Sequence, residues 1–416
     1  MNEWHKNKCH SFFHKKNLVV SKTRYNFAPM KQVIKKRVVE ANAIDTSEPI
    51  YTLIVDGNNL LKISLVDKRM NDVGQDYGAT IQFFWQLKKM LEKKDFNFVY
   101  VMWDGDGSGQ LRYNIYPDYK ANRDKHYKDN EPLSDYDKQI QAYCKKVLAY
   151  SRAHRKPTKR DETEEESFNR QQMIIKAILD ELFVRQMSCE NVEGDDLIAY
   201  YVNHKKPEEK IVIMSGDRDL TQLIADDVCV YIPTMKKFVT PKNHIELMGY
   251  THENVLLKKI MCGDVSDNIK GIKGLGETTF FKLFPDAKST PMTVDDIIKG
   301  ASLMIEERKS EKKKPLKVTE NIVGKVTDGC QGKYIYDINQ RIINLKKPLL
   351  TKEAEEELSG LMYAPLDPDG RDYRNIYKIV NGNHMHYLSD ENKFSALFSV
   401  FERLIINEKK FYEKNK

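Results

Sequence analysis

The sequence predicts an α/β protein built on a parallel, twisted sheet with helices on its faces. Three short apolar runs have the composition of buried strands, and each ends at or just before an aspartate that neighbours a glycine. These aspartates are Asp56, Asp104 and Asp217. Between the first two runs, Ala79 to Leu91 shows the apolar spacing of a helix. Strand, helix and strand in succession are typical of a parallel βαβ unit.

The carboxyl ends of the predicted strands carry the most informative residues, because ligands of open α/β sheets bind at that edge. The stretch from Val192 to Asp219 places carboxylates at the ends of elements that otherwise have core composition. Considered alone, Asp217 and Asp219 are explained equally well as N-terminal capping residues of a helix that begins near Leu220. Other parts of the sequence are needed to tell whether Asp217 and Asp219 cap a helix or bind a ligand.

Acidic residues at element ends recur along the chain, and a parallel sheet would bring them to one edge. So many carboxylates repel one another unless cations are bound among them. Oxygen ligands without suitably placed His or Cys favour Mg²⁺ or Mn²⁺, and two such ions promote phosphodiester hydrolysis. The predicted metal ligands are Asp56, Asp104, Glu193, Asp195, Asp196, Asp217, Asp219, Asp264 and Asp267.

The composition narrows the class of protein. The net charge is +7 over 416 residues, which fits binding of a polyanion around a metal-loaded centre. The six cysteines include no C-x-x-C pair, which fits a reducing compartment and argues against a zinc finger. No apolar run approaches the roughly 18 residues of a membrane helix. We expect a cytoplasmic monomer, in the host cytoplasm if the source is viral, with no membrane contact.

Two further segments predict contacts with nucleic acid. After the second strand, Arg112, Lys120 and Arg123 alternate with tyrosines that include Tyr119, a mixture that suits single-stranded nucleic acid but is also common in mobile loops. Farther on, a glycine-rich turn between two short helices would bring backbone amides close to a phosphate, without reading base edges. The turn residues are Lys270, Gly271, Lys273, Gly274 and Gly276.

The domain boundaries follow from these segments. Residues 1–49 are predicted to be a basic arm, and residues 50–250 a catalytic domain with a long charged segment over about 106–167. Residues 251–350 would form a region around the glycine-rich turn with a lysine-rich insertion, and residues 351–416 a helical C-terminal region. Within the last two, Glu306 to Lys317 is predicted to be a linker and Phe394 to Ile406 one amphipathic helix.

Six motifs in this order resemble the motif set of the flap endonuclease and 5′-to-3′ exonuclease family, whose bacteriophage members, including the phage ribonuclease H, are the most similar. Each motif alone is weak, but the ordered set is specific and covers roughly Tyr51 to Pro285. The basic arm and the charged segment Ser151 to Glu166 depart from the family pattern. The motifs are Val55 to Asn59, Trp103 to Gly105, Tyr119 to Arg123, Val192 to Asp196, Ser215 to Asp219, and Gly263 to Gly276.

The resemblance implies that residues 50–250 are a PIN-like domain whose helical arch, over about 106–167, threads a single-stranded 5′ end. It implies that residues 251–350 contain a helix-turn-helix that binds duplex DNA, and that the enzyme removes RNA primers or 5′ flaps during replication. It assigns Asp56, Asp104, Glu193, Asp195 and Asp196 to a first metal ion and the later acids to a second. Lys120 and Arg123 would act on the scissile phosphate, and Tyr119 would stack on a base. A K⁺ ion would occupy the glycine-rich turn.

The implied partners are DNA with a 5′ flap, a nick or an RNA primer, and separate single-strand-binding, polymerase or clamp proteins. Two other functions fit the same residues less well. A catalytically inactive protein that binds branched DNA would be expected to have lost central acids, and none is missing. A ribonuclease for single-stranded RNA would not need the turn that contacts duplex.

Overall fold

A computed structural model describes residues 49–121, 162–326 and 335–414 of the chain. Its main sheet has six strands in the order β3-β2-β1-β4-β5-β6, and every neighbouring pair is parallel except β5 and β6. The strands are β1 (Ile50–Asp56), β2 (Phe98–Met102), β3 (Arg185–Met187), β4 (Glu209–Met214), β5 (Val228–Ile232) and β6 (Lys237–Val239). The predicted α/β class with a parallel sheet flanked by helices is confirmed.

Helices surround the sheet and continue past it in the sequence. The first part of the described chain contributes α1 (Gly57–Ser64), α2 (Gly78–Lys93), α3 (Gln110–Ile115), α4 (Glu164–Glu181), α5 (Gly194–Asn203) and α6 (His244–Met248). The later part contributes α7 (Val255–Cys262), α8 (Glu277–Leu283), α9 (Val294–Ser310), α10 (Lys317–Gly324), α11 (Ile335–Ile343), α12 (Lys352–Leu361), α13 (Tyr373–Gly382), α14 (Glu391–Phe398) and α15 (Glu402–Lys414). In the described residues, no helix has the length and apolar character needed to cross a bilayer.

The central strands are apolar on both faces because helices cover both faces. Side chains alternate along a strand, so Leu53 and Val55 of β1 pack into the core beneath α2 and α4, whereas Ile54 packs into the core beneath α5. All three side chains are fully buried. The strand is therefore held from both sides, which fixes the position of Asp56 at its end.

The C-terminal helices complete the first of these cores. The ring of Phe84 in α2 lies 5.3 Å from the ring of Phe398 and 6.2 Å from that of Phe401, measured between centroids. Arg185 in the short strand β3 forms a buried ion pair with Glu408 of α15, at 2.6 Å. The last described part of the chain thus packs directly against the main sheet and its helix α2.

Three local predictions are wrong, and tertiary packing explains each. The apolar spacing of Phe168 to Met187 predicts one helix, but α4 ends at Glu181 and Arg185–Met187 pairs with β2 as an edge strand. The predicted linker over Glu306 to Lys317 is partly helical: α9 continues to Ser310 because Ile297 and Ala301 anchor its buried face. The predicted helix over Phe394 to Ile406 is interrupted by a 3₁₀ turn at Ser399–Phe401.

Candidate metal centre and nucleic-acid interface

Three central strands bring their terminal aspartates together. Strand β1 lies between β2 and β4, so Asp56, Asp104 and Asp217 follow neighbouring strand ends on the same edge of the sheet. Helix α5 begins at this edge, and the amide of Gly194 donates to Oδ1 of Asp104 at 2.7 Å. Asp195 lies in the first turn of α5. The predicted convergence of these acids therefore has a structural basis in strand order.

One cleft collects eight carboxylates from the sheet edge and from the region after α7. Cations also line the cleft, namely Lys62, Arg112, Lys120 and Lys259. We call Asp56, Asp104, Asp195 and Asp217 the sheet-edge acids, and Asp219, Asp264 and Asp267 the turn-side acids. The eight carboxylates are Asp56, Asp104, Glu193, Asp195, Asp217, Asp219, Asp264 and Asp267.

The sheet-edge acids face one another. Burial raises the pKa of Asp56 to about 7, and the negative charges of Asp104 and Asp217 act in the same direction. Burial also raises the pKa of Asp195 well above its ordinary value, and Asp217 and Asp56 add to the shift. Hydrogen bonds from the Asn59 amide and from the Ser215 hydroxyl to Asp56 offset only part of this cost. Burial therefore favours the protonated forms of Asp56 and Asp195 unless a cation is bound beside them.

The turn-side acids have a cation from the protein itself. The Lys259 ammonium in α7 forms ion pairs with both Asp219 and Asp264, the latter at 2.5 Å. Burial opposes the ionised form of Asp264, but Lys259 outweighs it and holds the pKa of Asp264 below its ordinary value. Burial still raises the pKa of Asp219 to about 7, with Lys259 acting against that shift.

Glu193 stands between the two groups, at the N-cap of α5. Its carboxylate pairs with Arg112 at 2.8 Å and with the Lys120 ammonium at 2.5 Å, and it accepts a hydrogen bond from the Tyr119 hydroxyl at 3.0 Å. Burial opposes ionisation, but these two cations hold the pKa of Glu193 below its ordinary value. The Lys120 amide donates to the Asp267 carbonyl at 2.8 Å, which joins this lysine to the turn-side acids.

The structure corrects the roles predicted for three residues. Asp196 does not line the cleft; its carboxylate accepts two hydrogen bonds from Arg112, at 2.5 and 3.1 Å, and one from the Leu349 amide. Arg112 is 6% exposed, so it binds acids inside the protein instead of a phosphate on the surface. Tyr119 is 2% exposed and cannot stack on a base as predicted. All three position Glu193 and the segment that carries Lys120.

The glycine-rich turn has the predicted helix-turn-helix form, with a small hairpin between α7 and α8. The hairpin pairs β7 (Gly263–Asp264) with β8 (Ile269–Lys270). A Cβ on Gly271 would lie 2.1 Å from the carbonyl carbon of Cys262, so this glycine permits a close backbone approach within the protein.

The other turn residues are accessible from outside. Lys270 and Lys273 are exposed, and open space surrounds the positions where Gly274 and Gly276 lack a Cβ. Gly274 also has a φ of +82°, a backbone conformation that favours glycine. Two exposed lysines and the open backbone at Gly274 and Gly276 thus lie in the segment directly after the cleft residues Asp264 and Asp267.

Sequence reasoning missed four residues that shape the cleft. The side chain of Asn58 donates to Asp104 at 2.6 Å, and Asn59 accepts from the Gly216 amide at 2.8 Å. Ser215 donates to Asp56 at 2.8 Å, and Lys259 joins two turn-side acids. The Asn pair directly after β1 was a usable signal, whereas Lys259 resembles any other helix lysine. Arg123 and most of the predicted arch lie outside the described residues.

These features define a class of protein: an α/β domain with a carboxylate-lined cleft at the strand ends and a helix-turn-helix beside it. Residues 51–250 match the family described as the 5′-3′ exonuclease, N-terminal resolvase-like domain. Residues 51–250, just under half of the chain, therefore carry a domain of this 5′-3′ exonuclease family.

Individual relatives are distant. DNA polymerase I of Bacillus subtilis (strain 168) is 26% identical over 283 residues, which are 66% of this chain and 28% of that polymerase. The chain therefore spans little more than a quarter of that relative. The 5′-3′ exonuclease of the same organism is 26% identical over 239 residues, 56% of this chain and 66% of that protein. A structure of T5 5′-exonuclease with bound zinc has 17% identity and a TM-score of 0.49, over 80% of this chain and 98% of that one.

Proposed function

We propose that the protein is a divalent-metal-dependent 5′ nuclease that hydrolyses phosphodiester bonds in flapped, nicked or RNA-primed DNA. The observation that carries this proposal is the cleft that gathers eight carboxylates at the sheet edge. The family match over residues 51–250 and the B. subtilis relative named as a 5′-3′ exonuclease support it. We expect the products to be shortened 5′ ends, with removal of RNA primers or flaps during replication.

The donor set of the cleft fits Mg²⁺ or Mn²⁺. The available ligands are carboxylate oxygens, and burial raises the pKa of Asp56, Asp195 and Asp219 in the absence of a cation. The sheet-edge acids with Glu193 would hold one ion, and Asp217 with the turn-side acids a second. Bound there, two divalent ions would supply an activated water and neutralise charge on the phosphodiester.

Lys120 is the cation best placed to contact the scissile phosphate. Its ammonium lies in the cleft on Glu193, at 2.5 Å, and its side chain is only partly exposed. A phosphate entering the cleft would compete for this ammonium with Oε1 of Glu193, which could then bind a metal ion while Oε2 stays paired with Arg112. Lys120 would thereby couple arrival of the substrate to completion of the metal site.

Duplex would lie on the helix-turn-helix. The exposed ammonium groups of Lys270 and Lys273, with the open backbone at Gly274 and Gly276, suit phosphate contacts that do not read base edges. A K⁺ ion among the backbone carbonyls of this turn belongs to the same proposal. The cleft lies beside the turn, so the cut would fall near the junction of duplex and single strand.

Cleavage of a single-flap DNA duplex tests the proposal. We would label the 5′ end and compare Mg²⁺ with EDTA, with an RNA-primed duplex in parallel. Cleavage near the junction in Mg²⁺ alone is expected, and the product lengths would separate flap removal from stepwise trimming.

Two variants complete that experiment. Asp217→Asn should lose cleavage and retain binding, whereas Asp226→Asn, at an exposed position outside the cleft, should behave as wild type. Tight binding without cleavage in Mg²⁺ or Mn²⁺ would overturn the enzymatic proposal in favour of a branched-DNA-binding protein. Normal cleavage by Asp217→Asn would overturn the assignment of the sheet-edge acids.

A further inference from the structure

A second group of potential metal ligands lies on the surface, away from the carboxylate cleft. Oδ1 of Asp72 lies 3.2 Å from Nδ1 of His384 and 3.4 Å from Nε2 of His386. In the described part of the chain, these are the three His, Cys, Asp or Glu side chains whose ligand atoms all lie within 4.8 Å of one another. None of the three lines the cleft.

The two segments that carry these side chains are joined by a buried residue. Asn71, 7% exposed, donates from its side chain to the carbonyl of Asn383 at 3.2 Å. Its side-chain oxygen accepts from the amides of Val73 and Gln75, at 3.2 and 2.8 Å. Asn71 therefore shapes the turn that holds Asp72 and fixes that turn against the residue before His384.

The segment that carries the two histidines is also fixed in position by the core. Met385, between the two histidines, is fully buried in the core beneath α2 and α4, which anchors the segment after α13. The amide of His386 donates to the carbonyl of His384 at 3.0 Å, and His384 has a φ of +54°, which is unusual for a residue with a side chain. Both imidazoles are exposed and reach the same carboxylate oxygen.

The spacing matches a transition-metal site. Zinc–nitrogen bonds of about 2.0 to 2.1 Å in a tetrahedral site place the ligand atoms roughly 3.3 Å apart. The two observed separations from the Asp72 oxygen, 3.2 and 3.4 Å, bracket that value. Two imidazoles and one carboxylate favour Zn²⁺, Co²⁺ or Ni²⁺ over Mg²⁺, in contrast to the oxygen ligands of the cleft.

We propose that Asp72, His384 and His386 bind one Zn²⁺-class ion, with water completing its coordination. The ion would join the turn after α1 to the segment after α13, and so link the C-terminal helices to the catalytic part. Because two of its ligands would be imidazole nitrogens, Mg²⁺ would not form this link. This site is separate from the nuclease centre and does not depend on the proposed nuclease function.

Calorimetric titration with Zn²⁺ tests the site. The full chain would be stripped of metal and held in excess Mg²⁺ to occupy the cleft. We compare wild type, the double variant His384→Ala/His386→Ala, the control His204→Ala, and Asp195→Asn/Asp217→Asn, which weakens the cleft. One equivalent of Zn²⁺ should bind to wild type, to the control and to the cleft variant, and at least about tenfold more weakly to the double variant.

Thermal unfolding gives a second readout that does not depend on catalysis. Zn²⁺ in excess should raise the unfolding midpoint of wild type and of the cleft variant, by about 2 °C or more, and leave that of the double variant unchanged. Equal Zn²⁺ binding by wild type and the double variant would overturn the proposal. So would an absence of Zn²⁺ binding to wild type, which would leave an ion pair between Asp72 and the histidines as the whole role of the cluster.

Discussion

The sheet-edge acids and the turn-side acids of the cleft differ in how their negative charge is neutralised. The sheet-edge acids face one another, and burial raises the pKa of Asp56 and Asp195. On the turn side, Lys259 pairs with Asp219 and Asp264, so part of the neutralising charge is built into the protein. The sheet-edge acids therefore depend on metal ions for neutralisation. On the turn side, a metal ion would have to displace the Lys259 ammonium.

This difference follows from where the acids originate. Three of the sheet-edge acids lie at or just after strand ends that the hydrogen-bonded sheet holds in place, and Asp195 lies beside them in the first turn of α5, so the four cannot move apart to reduce repulsion. Asp264 and Asp267 lie in the hairpin after α7, and Asp219 begins the 3₁₀ turn after β4, so Lys259 of α7 can reach between Asp219 and Asp264. We expect mutations in the two halves to have opposite effects on metal dependence.

The largest expected effect is the loss of cleavage in Asp195→Asn. Removing one charge from the sheet-edge acids should weaken metal binding and lower the cleavage rate by about 10²- to 10³-fold, while binding of flap DNA changes little. Single-turnover cleavage and a parallel binding titration would measure the two. Asp226→Asn is the matched control. Equal cleavage rates in the two variants would contradict the role of the sheet-edge acids in metal binding.

The same variant should stabilise the metal-free protein at high pH. Asp56 titrates near 3.8 when unfolded and at about 7 when folded, so between these values the folded state binds more protons and stability falls as pH rises. At pH 8, Asp195→Asn should relieve charge repulsion and so raise the free energy of unfolding by about 2 kcal/mol. Urea unfolding in EDTA at pH 5 and pH 8 would measure this. A wild-type protein more stable at pH 8 than at pH 5 would contradict the charge model.

Lys259→Met should have a smaller effect in the opposite direction. Without the built-in cation, Asp219 and Asp264 should bind a divalent ion more tightly, and the Mg²⁺ concentration for half-maximal cleavage should fall by about tenfold. Lys258→Met is the control. Lys258 is the neighbour of Lys259 in the sequence, but its ammonium pairs with Glu277 at 3.0 Å, outside the acid cluster. A higher Mg²⁺ requirement in Lys259→Met would show that this lysine organises the site instead of competing for it.

The smallest expected effect concerns DNA binding. Lys273→Ala should weaken binding a few-fold and reduce the slope of log affinity against log salt by about 1, whatever the DNA sequence. Lys378→Ala, at an exposed position on α13, should leave the slope unchanged. Binding titrations over a series of salt concentrations would measure both. An unchanged slope in Lys273→Ala would contradict the proposal that the turn contacts the duplex.

The sequence alone determined the strand-end acids and the glycine-rich turn. Asp56, Asp104 and Asp217 could be placed because short apolar strands end at recognisable residues, and parallel strands share an edge. The helices α7 and α8 were predictable for a similar reason, since local apolar spacing and glycines mark their ends. These are properties of residues close together in the chain.

Only the tertiary structure decided which neighbouring residue takes which role. Successive side chains on a helix point about 100° apart, so Asp195 faces the cleft while Asp196 faces Arg112, and nothing local distinguishes them. Likewise, Lys258 pairs with Glu277 and Lys259 with the turn-side acids. Such choices depend on partners distant in sequence, because a charge is buried only where the folded chain supplies its counter-charge.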